Sequence, residues 1–190
     1  AKCPQRPDYV LFPECSIPRR WALPSATRLV TRGISLIAGL EYRADASNPN
    51  KLHNEVLVAL RTNFPGYTTN LCLFQAKECA AWHEADQLSA LGKRLPKYTP
   101  DKNRHVVYVH GGLCFGVLRC SELTNIRNRA LFQGKVDALF IPEWNSDLES
   151  FGTLVEASAL DVHCYLAQAN NRRYGDSRMR APFKVPHKRD

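Results

Sequence analysis

The apolar positions of this chain come in short bursts parted by polar, turn-rich stretches, and their period changes along the sequence. Residues 8–12 form an apolar run closed by Pro13-Glu14, which predicts a buried strand with a carboxylate at its end. Residues 18–24 lie between two prolines and read as a loop, with Trp21 packing down onto the body. A helix is predicted from Ser25 as N-cap to Arg32, ended by Gly33. Residues 34–42 give the next strand. Residues 54–60 and 69–74 give two more, which read as a hairpin with a loop longer than the two-residue type.

The middle of the chain is polar. Residues 86–95 and 97–104 read as loops, and His83 as an incidental loop histidine. Beyond them the period alternates between strand and helix. Strands are predicted at 106–109, 113–118, 136–141 and 164–169, with helices at 122–132 and 147–161. Hairpin-like strands in the first half and alternating elements in the second predict an α/β fold with a mixed sheet arrangement.

Composition narrows the class. The chain has 190 residues, 44% apolar and 23% charged, which suits a soluble globular domain large enough for a sizeable core. No run approaches the roughly 18 uninterrupted apolar residues of a membrane helix, so no membrane partner is expected. Seven scattered cysteines, an odd number without paired CxxC spacing, point to a reducing compartment, and the cytoplasm is the expected location. The net charge of +8 is concentrated near the end, where residues 171–190 hold seven Lys/Arg against two Asp. Such a tail suits phosphate contact as well as simple solubility. Arg119 and Arg127 add a hint of an anionic substrate or a nucleic-acid setting.

Chemistry concentrates at residues 116–123, Gly-Val-Leu-Arg-Cys-Ser-Glu-Leu. Here the period switches from strand to helix, with Cys120 at the switch. A thiol on such a turn is pushed out of the sheet toward a helix N-terminus, whose dipole favours thiolate and whose N–H groups can hold an oxyanion. A single cysteine beside an apolar strand is more often core packing, so the case rests on its companions. Glu14 follows the first strand and Lys77 a middle one, giving the chain order Glu14, Lys77, Cys120. Glu84 follows the lysine.

This order resembles the Glu-Lys-Cys triad of the nitrilase superfamily of carbon–nitrogen hydrolases. Residues 11–14, Leu-Phe-Pro-Glu, resemble the family's apolar strand ending in Pro-Glu, and residues 33–41 its next strand. Lys77 with Glu84 resembles its lysine segment, and Gly116, Cys120 and Glu122 its nucleophile elbow. Residues 140–142, Ala169-Asn170 and Gly175-Asp176-Ser177 resemble later strand ends and a Gly-x-Ser. The resemblance spans about residues 9 to 182 and implies one domain over 1–182, with a basic tail at 183–190. The implied fold is an αββα sandwich, apparently truncated at both ends relative to the family.

The resemblance implies hydrolysis of a non-peptide carbon–nitrogen bond, in a small amide or nitrile, through a thioester on Cys120. Glu14 would act as general base, Lys77 and the backbone N–H of Ser121 as oxyanion donors, and Glu84 as support. Glu122 and Asn145 would bind substrate. Neither metal nor organic cofactor is implied, and a homo-oligomer is. The basic ending also resembles nitrilase-like domains fused to bacterial reverse transcriptases. The alternative is therefore a non-catalytic binding or assembly module beside a polymerase domain, in contact with nucleic acid.

Overall fold

Residues 6–96 and 105–183 are described in the computed structural model; the loop expected at 97–104 and all but Phe183 of the basic tail lie outside them. The described chain runs β1 (Tyr9–Ile17), α1 (Arg19–Val30), β2 (Ser35–Leu40), β3 (Arg43–Ala44), β4 (Leu52–His53), β5 (Glu55–Phe64), β6 (Tyr67–Ala76) and α2 (Trp82–Ala90). It continues with β7 (Tyr108–His110), β8 (Leu113–Val117), a 3-10 turn (Cys120–Glu122), α3 (Ile126–Phe132), β9 (Ala138–Pro142), α4 (Leu148–Val162), β10 (Tyr165–Ala169) and β11 (Arg178–Arg180).

Two mixed sheets result. One has the order β1-β2-β5-β6, the other β11-β10-β9-β8-β7, and β3-β4 is a small separate ladder. The first sheet combines a parallel β1–β2 pair with antiparallel β2–β5 and β5–β6 pairs. In the second, β8, β9 and β10 are parallel, with antiparallel strands at both edges.

The sheets face each other. Ile37, Val56, Val58 and Leu60 of the first pack against Tyr108, Phe115, Val117 and Phe140 of the second. The aromatic rings interlock here, with Tyr108 stacked on Phe115 and Phe140 edge-on to it at 5.1 Å. Each outer face is covered by helix. Ala22 and Ala26 of α1 lie on Leu36, Ala38, Leu57 and Ala59. Phe132 of α3 and Phe151, Val155, Ala159 and Val162 of α4 lie on Leu139, Ile141 and Leu166. Each fully buried side chain of this size contributes roughly 1.5–3 kcal/mol. The layers are α-β-β-α, the sandwich expected.

Several local expectations are corrected. The first helix begins at Arg19, not after Ser25, and carries Pro24 inside it. Burial of Ala22 and Ala26 against the sheet outweighs the one hydrogen bond that Pro24 removes. Trp21 does not pack down; it is 56% exposed. The hairpin loop is shorter than expected, since Phe64 pairs with Tyr67 and only Pro65-Gly66 lie between. Gly66, at φ 87°, supplies the positive φ this tight turn needs. Residues 82–90 are helical, not loop. The helix expected over 122–132 is divided, because the Asn125 side chain accepts the Arg127 N–H and starts α3 anew.

Candidate active site

Glu14 owes its position to a break in β1. The register between β1 and β2 shifts between Phe12 and Ile17. There the strand leaves its own sheet, and the Glu14 N–H donates to the Glu143 carbonyl at the end of β9 in the other sheet. Cys15, next in the chain, takes a left-handed φ of 52° to complete the kink. Gly39 of β2 makes room for it: a Cβ there would lie 2.4 Å from both Glu14 Cα and the Pro13 carbonyl oxygen. The Glu14 side chain is thereby buried at 4% exposure.

Lys77 directly follows β6, and its backbone N–H donates to the Asn54 carbonyl at 2.8 Å. Its ammonium donates to Glu14 Oε1 at 2.8 Å and to Glu84 Oε2 at 2.7 Å. Glu84 is held by its own helix, because Oε2 also accepts the Ala81 N–H at the start of α2. The Asn54 side chain bridges the two carboxylates, donating to Glu14 Oε1 at 2.8 Å and Glu84 Oε1 at 3.1 Å. Tyr42 donates to the same Glu84 oxygen at 2.5 Å. Burial opposes the Lys77 charge, yet Glu14 and Glu84, with Cys120, hold the ammonium above the ordinary lysine range. Burial likewise works against the Glu84 carboxylate, but Lys77, Tyr42 and the Ala81 N–H hold it below its ordinary value.

Cys120 opens the 3-10 turn three residues beyond β8 at a φ of 41°, a strained elbow that a non-glycine residue adopts only when its surroundings enforce it. The enforcement comes from the preceding residue. Arg119 is fully buried, and its guanidinium grips the Glu122 carboxylate with two bonds of 2.8 and 2.7 Å. Its third nitrogen donates to the Gln75 carbonyl at 2.6 Å, and Glu122 Oε1 accepts the Glu78 N–H at 2.8 Å. The clamp fastens the cysteine turn to the segment carrying Lys77.

The expected thiolate is not favoured in the resting site. The element after Cys120 is a three-residue 3-10 turn with little dipole, not a helix. Burial, followed by the charge of Glu14, pushes the thiol up to about 12. Its sulfur faces the Trp144 carbonyl at 4.0 Å.

Glu14, Lys77, Glu84 and Cys120 line one cavity of about 500 Å³ with Cys15, Tyr42, His83, Gln87, Trp144, Asn145, Ser146 and Tyr174. Asn145 stands on this wall, fixed by two hydrogen bonds between its backbone and the Asn170 side chain. Ser177 Oγ in turn accepts the Asn170 N–H, which gives the Gly-x-Ser a structural task. His83, expected to be incidental, stands on this wall. Glu122 is corrected: it does not line the cavity, and its carboxylate is consumed by Arg119 and Glu78. The anionic-substrate hint also falls, because Arg119 is locked away and Arg127 is exposed on α3, off the cavity. Asn54, Tyr42 and Glu143 were missed, since one polar residue before or after a strand carries no motif. Among the described residues, no group of three or more His, Cys, Asp or Glu side chains is placed to hold a metal ion.

No family model matches the sequence, and no curated protein matches it at a significant level. Solved structures do match in shape. Nit3 of Saccharomyces cerevisiae, a member of branch 10 of the nitrilase superfamily, is similar at a TM-score of 0.65 and 15% identity, over 92% of this chain and 69% of its own. The CN-hydrolase superfamily protein XC1258 of Xanthomonas campestris matches at 0.62 and 13%, over 92% and 70%. An amidase variant from Nesterenkonia sp. AN1, with acrylamide added to its active-site cysteine, matches at 0.63 and 18%, over 92% and 72%. The chain is shorter than these neighbours, and it has the fold of the nitrilase superfamily.

Proposed function

We propose that this chain is a carbon–nitrogen hydrolase acting on a small amide or nitrile through a Cys120 thioester, with Glu14, Lys77 and Cys120 as its triad. The observation that carries this is the Glu14–Lys77–Glu84 chain of charge-assisted hydrogen bonds facing the same cavity as a cysteine on a strained elbow. The reaction needs a base, because the resting thiol is protonated. Glu14 fits: Lys77 and Asn54 both donate to Oε1, and Oε2 takes the thiol proton as sulfur attacks the carbonyl or nitrile carbon. The oxyanion or imine nitrogen that forms is met by the Lys77 ammonium and the Ser121 N–H. With an amide, Glu14 then returns the proton to the leaving nitrogen. With a nitrile it protonates the thioimidate nitrogen and activates a first water, whose addition lets ammonia leave. In both cases it later activates water against the thioester. Glu84 keeps Lys77 charged and in place. In deacylation the proton taken from water returns to the Cys120 sulfur, restoring the resting thiol.

Cys120→Ala should abolish turnover and leave the fold unchanged. Incubating the wild-type protein with acrylamide and mapping the adduct by peptide mass spectrometry should place it on Cys120 ahead of the other cysteines. Uniform modification of every exposed thiol, with no turnover of simple amides, argues against the enzyme. Self-association through the outer helices belongs to the same reading, with Ile126 and Leu131 of α3 exposed at 70% and 49%.

A further inference from the structure

Glu143 is fully buried, and neither of its carboxyl oxygens makes a hydrogen bond of regular geometry to any described residue. Most buried carboxylates are paired; this one is not. Its backbone is tied on both sides. Its backbone N–H donates to the Ala169 carbonyl at 2.8 Å, and its carbonyl accepts the Glu14 N–H at 3.2 Å. The next residue is Trp144, whose carbonyl faces the Cys120 sulfur. Glu143 is thus joined to the base on one side and to the residue beside the nucleophile on the other.

The charges around it are already committed. Gln168 of β10 is a neutral neighbour, Arg178 of β11 pairs with Asp176, and Lys77 serves both Glu14 and Glu84. A negative Glu143 would face Glu14, Asp176 and a forming Cys120 thiolate, opposed by Arg178, which is already paired with Asp176. Burial, with Asp176 and Glu14 adding to it and the Gln168 amide and Arg178 offsetting only part, pushes its carboxyl up to about 8. Its charge in turn opposes ionisation of Cys120.

We propose that Glu143 is a positioning residue kept as a neutral carboxylic acid, and that its ionisation on the alkaline side closes down the Glu14–Cys120 pair by setting a second carboxylate beside it. The proposal rests on Cys120 being the nucleophile, but it can be read without turnover.

The test follows the rate of Cys120 alkylation by iodoacetamide, measured on its own peptide, from about pH 6 to about pH 10 in the wild type and in Glu143→Gln. The variant should react roughly tenfold faster at the alkaline end, with the ratio near one at the acid end. Identical profiles, or alkylation that does not rise with pH in either protein, overturn the proposal. If Glu143→Gln does not fold, Glu143→Met provides a second neutral side chain of similar volume. Infrared spectroscopy of the wild type supplies an independent arm. A carboxylic acid C=O band should be present at neutral pH and vanish above about pH 9. Its absence at neutral pH also overturns the proposal.

Discussion

Gly39 lies directly against the backbone of Glu14, close enough that a Cβ would stand 2.4 Å from its Cα. The space for Glu14 is therefore made by a residue on the neighbouring strand that has no side chain. Gly39→Ala should force β1 outward and carry the Glu14 carboxylate away from Lys77. The expected destabilisation is about 1–3 kcal/mol, typical of overpacking. Turnover should fall far more than stability, and comparing kcat with the urea midpoint checks this. Equal, modest losses in both would mean that the kink relaxes without moving the base.

Arg119 and Glu122 form a buried pair whose two members should not be removed singly. Arg119→Met leaves the Glu122 carboxylate buried without its guanidinium and should cost about 3–5 kcal/mol. The double variant Arg119→Met/Glu122→Leu should recover part of that loss, because it buries no orphaned charge. Equilibrium unfolding of both variants measures the difference. A double variant no more stable than Arg119→Met would show that the clamp matters through Gln75 and Glu78 alone.

Glu84 sits below its ordinary carboxyl range in the folded protein, so its contribution is present above about pH 4.5 and lost as pH falls through the lower folded value. The wild type should lose thermal stability on acidification below about pH 4.5, and Glu84→Gln should flatten that limb while lowering stability at neutral pH. Melting temperatures across pH decide it. A variant with the wild-type acid limb would assign that limb to other carboxylates.

Glu143 carries the opposite sign. Its folded value is raised to about 8, so the unfolded chain ionises first and stability drains as pH rises from about 4.5 to 8. Relative to the wild type, Glu143→Gln should gain stability through that window, by an amount on the order of a few kcal/mol, and then level off. A difference independent of pH would mean that the side chain is charged in the fold at neutral pH.

The layered fold was legible because strands 34–42 and 136–141 and helix 147–161 carry unbroken apolar patterns that only a core satisfies. The boundaries of α1 were not. Pro24 signals a stop locally, and only the packing of Ala22 and Ala26 on the first sheet shows why the helix runs through it. At the site, Glu14, Lys77 and Cys120 could be picked out by their chain order at predicted strand ends, although β1 runs on past Glu14 to Ile17 and Cys120 lies three residues beyond β8. Asn54, which joins Glu14 to Glu84, reads as an ordinary residue before β5. Glu122, given to the substrate by the resemblance of its elbow, is turned inward by its partner Arg119. A pattern along the chain shows where a side chain starts, and only the fold shows which group it meets.

The kink in β1 has one more consequence. Because Glu14 hangs from the end of β9 while its strand belongs to the other sheet, the base spans the seam between the two halves of the sandwich. On the proposed triad, turnover at Cys120 would gauge how firmly the halves are docked. A loosened state that keeps every strand and helix but lets the sheets slide apart should look native by far-ultraviolet circular dichroism and yet show no turnover.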